Sequence, residues 1–173
     1  MCIRDSTTDG AVCRPLPLQE GGIPLWIAGG GEKRTLRIAA AYADYTNFDP
    51  DPEGFARKSA VLAKHCADLG RDFSTITRSG NYSVVIGSTE RDVEDRLGWI
   101  REHHVRLLSQ AEVERMMTQY RAGLLVGTPE QLVERLGAME KAGMTYAICQ
   151  FLEAAYDRSG VELFEREVLP ALR

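Results

Sequence analysis

Residues 23–48 read IPLWIAGGGEKRTLRIAAAYADYTNF, and the fold follows from this stretch. It opens with a short apolar run, Ile23 to Ala28, closed by Gly29, Gly30 and Gly31. A continuous apolar run bounded by glycines suits a strand buried on both faces of a parallel sheet. Leu36, Ala39, Ala40 and Ala43 then fall on one face of a helix. Asp44 to Phe48, with aromatic and β-branched residues, predicts a second strand. Two strands joined through a helix run parallel, because the crossover returns the chain to the same end of the sheet.

The alternation continues to the C-terminus. Asp51-Pro52-Glu53 is a helix start, with an acidic cap, a proline at the first helical position and negative charge at the positive end of the dipole. Phe55, Leu62, Cys66 and Leu69 keep helical spacing until Gly70. Thr77 to Gly87 predicts a third strand, and Thr89 with Asp92 opens a helix carrying Val93, Leu97 and Ile100. Ser109 and Glu112 form a capping-box pattern ahead of Val113, Met116, Met117 and Tyr120. The strongest start signal is Thr128-Pro129-Glu130-Gln131, followed by the stripe Leu132, Leu136 and Met139 and a stop at Gly143. Thr145 to Leu152 predicts a fourth strand, and Val161 to Leu172 a terminal helix interrupted by Pro170. The order β-α-β-α-β-α-α-α-β-α defines an α/β chain with about four parallel strands. Such strands form either a small open sheet or half of an eight-stranded barrel, for which about 250 residues is usual.

Composition narrows the function classes. Of 173 residues, 44% are hydrophobic and 27% charged, and the net charge is -4 with both signs interspersed. Nucleic-acid binding calls for a basic stripe that this sequence lacks. No apolar run approaches the roughly 20 residues of a membrane span, and the N-terminal residues lack a signal-peptide core, so a cytoplasmic protein is expected. Cys2, Cys13, Cys66 and Cys149 are far apart and read as free packing thiols. The adjacent His103 and His104 point about 100° apart on a helix, a poor metal chelate. No metal is expected.

The glycines carry the chemistry. Between a buried strand and a helix, they let the backbone approach a ligand, and the first N–H groups of the helix point outward. With Lys33 and Arg34 beside them, they form an anion site suited to a phosphate. The spacing is neither a P-loop nor the dinucleotide Gly-x-Gly-x-x-Gly pattern. A tight turn without a ligand is the alternative reading of the same residues.

Several segments together resemble the luciferase-like monooxygenase family. PLWIAGGGEKRTLRIAAAYADYTNF (residues 24–48) is similar to that family's fifth and sixth barrel strands, and VGTPEQLVERLGAMEKAGMTYAI (residues 126–148) to its later helix and final strand. The closing FEREVLPAL (residues 164–172) fits as well, so the resemblance runs from about Pro15 to the end. The wording of GGGEKRTLR and ADYTNF looks most like the coenzyme F420 (deazaflavin) branch, with FMN as the alternative cofactor. The resemblance implies the C-terminal half of a TIM (β/α)8 barrel, strands five to eight, over residues 23–173. Residues 7–22 then read as a loop from the barrel interior. MCIRDS (residues 1–6) resembles a translated sequencing-adapter end, and a truncated gene is expected behind it.

Carried over residue by residue, the resemblance assigns backbone contacts with the cofactor phosphate to Ala28, Gly29, Gly30, Gly31 and Glu32. It places Thr46 and Asn47 at the same barrel mouth. The implied activity is hydride transfer between F420 and a small organic substrate, with catalytic residues on strands outside this sequence and this chain inactive alone. A homo-oligomeric parent stays open. A non-catalytic phosphate-binding or structural half-barrel is the reading from another class. Isolated, a half-barrel is expected to aggregate, pair through its open edges or fold only in part. Asp44 reads as a turn acid, and Arg34 and Arg37 as phosphate contacts or solvated surface. Met116, Met117 and Tyr120 read as core or pocket lining, and Trp26 and Trp99 as packing residues.

Overall fold

The computed structural model describes residues 9–10, 12, 14–48 and 50–172. The adapter-like residues 1–6, together with Cys13, lie outside the described residues. Strand β1 (Trp26–Ala28) leads through helix α1 (Thr35–Tyr42) to β2 (Tyr45–Asn47), and helix α2 (Pro52–Leu69) leads to β3 (Thr77–Ser83). A short β4 (Val85–Ile86) precedes the hairpin of α3 (Glu90–Val105) and α4 (Gln110–Arg121). Then come β5 (Val126–Gly127), α5 (Pro129–Lys141), β6 (Tyr146–Gln150) and α6 (Ser159–Leu163). Strands β1, β2, β3 and β6 form a parallel sheet in that order. This is the α/β, parallel-strand architecture of a TIM (β/α)8 barrel arc, as expected.

The helices begin and end where their caps dictate. The Asp51 carboxylate accepts from Gly54 N at 2.8 Å, and Gly70 closes α2 at φ +67, a conformation that suits glycine. In α3, Thr89 and Asp92 satisfy each other's amides at 3.2 and 3.0 Å. Replacing Thr89 by alanine is expected to cost about 0.5–2 kcal/mol. Hydrogen exchange should locate that loss in the first turn of α3, at the Asp92 amide. The C-terminus of α1 is capped from a distance, with Arg71 donating to the carbonyls of Ala40 and Ala43.

One core lies between the sheet and the helices, and Leu36, Ala40, Phe55, Leu62, Tyr82, Leu132, Met139 and Val168 belong to it. A smaller one holds the α3–α4 hairpin on β4, through Val85, Val93, Leu97, Ile100, Val113 and Met117. Burial in the main core pushes the Cys149 thiol up to about 11 from its ordinary 9.0. The folded state therefore favours the protonated thiol. Its contribution is fully present below pH 9 and is lost as pH rises toward 11. Urea midpoints of wild type and Cys149→Ala, compared across that window, should converge as pH rises. Buried Cys66 and Tyr82, also shifted upward, should leave a residual slope in both.

Three expectations are corrected. Thr77 to Gly87 is not one strand. Val84 N donates to Gln150 O of β6, whereas Val85 N donates to Leu125 O, beside β5. Successive amides of a strand point to opposite edges. On the edge that β2 leaves at Asn47, the unforeseen β5 takes over and builds a separate two-stranded sheet with β4. Secondly, Ile23 to Ala28 is not buried on both faces: only Trp26–Ala28 is strand, and Leu25 and Trp26 are 51% and 44% exposed. Pro24 has no amide for the ladder, and helices cover one face of the sheet only. Finally, the terminal helix is not uniform. A π-helical turn (Phe164–Val168) follows α6, and a 3-10 turn (Leu169–Leu172) ends it. Pro170 lacks an amide and its ring excludes the carbonyl four residues back, so the ladder cannot continue in α register.

Candidate functional site

Side chains alternate across each strand, so the sheet register sorts the residues by face. Ile27, Tyr82 and Cys149 pack against the main core and mark the helix-covered face. The opposite face carries Trp26 and Ala28 of β1, Tyr45 and Asn47 of β2, Ser79, Asn81 and Ser83 of β3, and Ile148 and Gln150 of β6. At the strand N-termini this face is aromatic. Trp26 stacks on Tyr45 with ring centroids 4.6 Å apart, and meets Tyr146 edge-on at 5.9 Å. Toward the C-terminal ends it becomes polar, with amides and hydroxyls that donate and accept.

The glycine turn sits at the C-terminal end of β1. Gly29 N donates to Asn47 O at 2.8 Å, extending the ladder by one rung, and its φ of +116 turns the chain out of the sheet. Gly31 lies so close to the start of α1 that an added Cβ would fall 2.8 Å from Thr35 Oγ1. The Gly31 carbonyl accepts from Leu36 N at 3.0 Å, fastening the loop to the helix. Among the described residues, the amides of Gly30 and Gly31 have no protein acceptor. Lys33 and Arg34 are exposed beside them.

Helix α2 braces the turn from behind. Lys58 Nζ donates to Glu32 Oε1 at 3.0 Å, and Arg57 Nε lies 3.7 Å from the same oxygen. That hydrogen bond, with the charges of Lys58 and Arg57, holds the Glu32 carboxyl below its usual range. His65 Nε2 lies 2.8 Å from Glu32 O, and because a carbonyl can only accept, the ring must carry its proton on Nε2. The Glu32 side chain and carbonyl are thus occupied by α2.

Thr46 and Asn47 occupy opposite faces. Thr46 is fully buried and donates its hydroxyl to Ile27 O at 2.9 Å, within the helix-covered layer. Asn47 is on the open face, where its Nδ2 donates to Ser79 Oγ at 3.2 Å; Ser79 in turn donates to Thr46 O at 2.8 Å. The chain Asn47–Ser79–Thr46 ties the end of β2 to β3 beside Ala28. Asp44 is a turn acid, accepting from Leu25 N at 2.7 Å.

A cavity of about 440 Å³ opens at the end of β3 under α4, lined among others by Asn81, Ser83, Met116, Tyr120 and Leu124. Burial raises the Tyr120 phenol, against a hydrogen bond with Ser83 that lowers it. Of the three α4 residues, Met117 is buried in the small core, while Met116 and Tyr120 pack against that core and also line the cavity. Reading Thr77 to Gly87 as a third strand did not single out Ser79, Asn81 and Ser83. The available signal was their period-2 polar spacing. His103 and His104 each direct Nδ1 toward a carbonyl four residues back, Trp99 O and Ile100 O. No group of three or more His, Cys, Asp or Glu suited to a metal occurs among the described residues. No helix among them is long and apolar enough to cross a membrane.

The family model described as luciferase-like monooxygenase matches residues 4–146. A phthiodiolone/phenolphthiodiolone dimycocerosates ketoreductase from Mycobacterium sp. (strain JLS) is 36% identical over 85 residues, 47% of this chain and 22% of that protein. Among solved structures, the coenzyme F420-dependent tetrahydromethanopterin reductase from Methanopyrus kandleri superposes with a TM-score of 0.64 at 16% identity. That match covers 87% of this chain and 51% of the reductase. The riboflavin lyase RcaE, solved with modified FMN and riboflavin, gives 0.67 at 17% identity, over 89% of this chain and 43% of its own. The chain thus spans about half the length of these solved structures.

Proposed function

The chain belongs to the luciferase-like monooxygenase family, and from that premise we propose that it supplies the phosphate end of the cofactor site in an F420-dependent oxidoreductase. The glycine turn carries the proposal: a Cβ at Gly31 would press on the Thr35 hydroxyl, and the Gly30 and Gly31 amides have no protein acceptor among the described residues. A phosphate fits there, with N–H groups and the start of α1 facing it and Lys33 and Arg34 adding charge. Gly29 contributes by turning the backbone, since its own amide is held by Asn47. Glu32 contributes through its place in the loop, braced by Lys58 and His65. When bound, the deazaflavin ring accepts or gives a hydride from a small organic substrate. Ala28 and Asn47 border the turn on the open face, and the cavity under Tyr120 gives the substrate a place to lie against Met116.

FMN is the second reading, because a glycine turn of this kind addresses a phosphate and both cofactors present one. Calorimetric titration with F420, FMN and inorganic phosphate separates the readings. Tighter binding of F420 than FMN, with phosphate competing against both, is the expected result. An FMN preference would select the second reading, and no competition by phosphate would remove the loop from the site.

A further inference from the structure

Beyond β6 the chain turns back against α3, and this corner holds a cavity of about 320 Å³ lined by Asp92, Asp95, Arg96, Trp99, Glu153 and Asp157. It involves none of the residues assigned to the cofactor loop. Glu153 is the most buried of the six, 4% exposed, and forms the floor. Its Oε1 accepts from Arg96 Nη1 at 3.3 Å, but its Oε2 has no hydrogen-bond partner. A buried carboxylate oxygen without a donor is destabilising, and a donor that reaches it removes that cost. Arg96 is already committed elsewhere: Nη2 donates to Ser159 Oγ at 2.6 Å, and Nη1 lies 3.9 Å from Asp157.

The rest of the lining specifies the donor. Four carboxylates and one guanidinium line it, and although Arg91 approaches Asp95 to 4.0 Å from the exposed side, the excess of negative charge favours a cation. They do not converge as a metal site, since no such cluster exists among the described residues. Trp99 supplies an aromatic wall, its ring held by His103 stacked on one face with centroids 3.6 Å apart and by Tyr156, which it meets edge-on at 5.5 Å. An aromatic wall beside a carboxylate attracts an organic cation. Only one with N–H groups can also satisfy Glu153. We propose that this cavity binds a primary alkylammonium ion, its head donating to Glu153 and its methylene stem lying along Trp99.

The test is a fluorescence titration with n-butylammonium chloride, on a Trp26→Phe background that leaves Trp99 as the sole tryptophan. Tetramethylammonium chloride and sodium chloride at matched ionic strength serve as comparators. Butylammonium should give a saturable change, while tetramethylammonium, which donates no hydrogen bond, should bind at least about tenfold more weakly. Glu153→Gln should weaken butylammonium binding by a similar factor, about tenfold. Asp95→Asn, at the exposed rim where it loses only a solvent-exposed pairing with Arg91, should weaken it about twofold and reports even if the floor variant does not fold. A butylammonium response no different from that to sodium chloride would overturn the proposal. So would tetramethylammonium binding as tightly, or a rim variant that binds like wild type.

Discussion

Phe55→Ala is expected to remove about 3–5 kcal/mol of unfolding free energy, the largest loss from a single truncation in this chain. Phe55 is fully buried on α2, with its ring centroid 4.6 Å from that of Phe48 at the end of β2. Truncation loses the transfer free energy of a whole ring and leaves a cavity. Its surroundings cannot readily collapse, since Leu62 and Cys66 are on the same stripe and also fully buried. Small domains have roughly 5–15 kcal/mol in total, so the variant should unfold at a far lower urea midpoint with an unchanged m-value. Phe55→Leu, which keeps most of the volume, should lose much less. A midpoint shift for Phe55→Ala no larger than that for Phe55→Leu would show that the α2 stripe does not anchor the core.

The second large effect concerns the glycine turn. Gly29→Val places a β-branched residue at φ +116, a strained conformation costing about 1–3 kcal/mol. The backbone escapes that strain only by leaving the conformation that directs the loop toward α1. Affinity for a phosphate-bearing cofactor should fall about tenfold or more, the equivalent of roughly 1.4 kcal/mol or above. Gly31→Ala should do less, because the Cβ meets the Thr35 hydroxyl at 2.8 Å, and that side chain can rotate. Far-UV circular dichroism should be preserved in both, since the core does not involve the loop. Wild-type affinity in folded Gly29→Val would separate the turn from phosphate binding and leave it a connection between β1 and α1.

Much of this architecture was legible because its causes are local. A cap acts within three or four residues, and Asp51, Thr89, Ser109 and Thr128 each open the helix that their side chains predict. The glycine turn was legible for the same reason, lying between an apolar run and a helix. What escaped depends on which strands become neighbours. The change of partner between Val84 and Val85, and the existence of β5, follow from where β2 stops and where Leu125 arrives. Two-residue strands carry no periodicity to read.

The candidate site divides along the same line. Gly29, Gly30 and Gly31 announce a backbone turn by composition, because only glycine combines a positive φ with close approach. That Gly29 gives its amide to Asn47, or that Glu32 is held by Lys58 and His65, requires α2 to be in place. Ser79, Asn81 and Ser83 belong to no motif, and their polar row with Asn47 takes shape only when β2 and β3 pair in register. Glu153 and Trp99 are 54 positions apart in the chain, and the return of the chain against α3 brings them to one cavity. By itself the sequence determined the alternation of strands and helices, their caps and the turn after β1, because each rests on hydrogen bonds and sterics between near neighbours. Tertiary structure alone decided which face of the sheet stays open, which side chains meet there and which carboxylate oxygen is left without a donor. Those outcomes depend on distant segments sharing the same space.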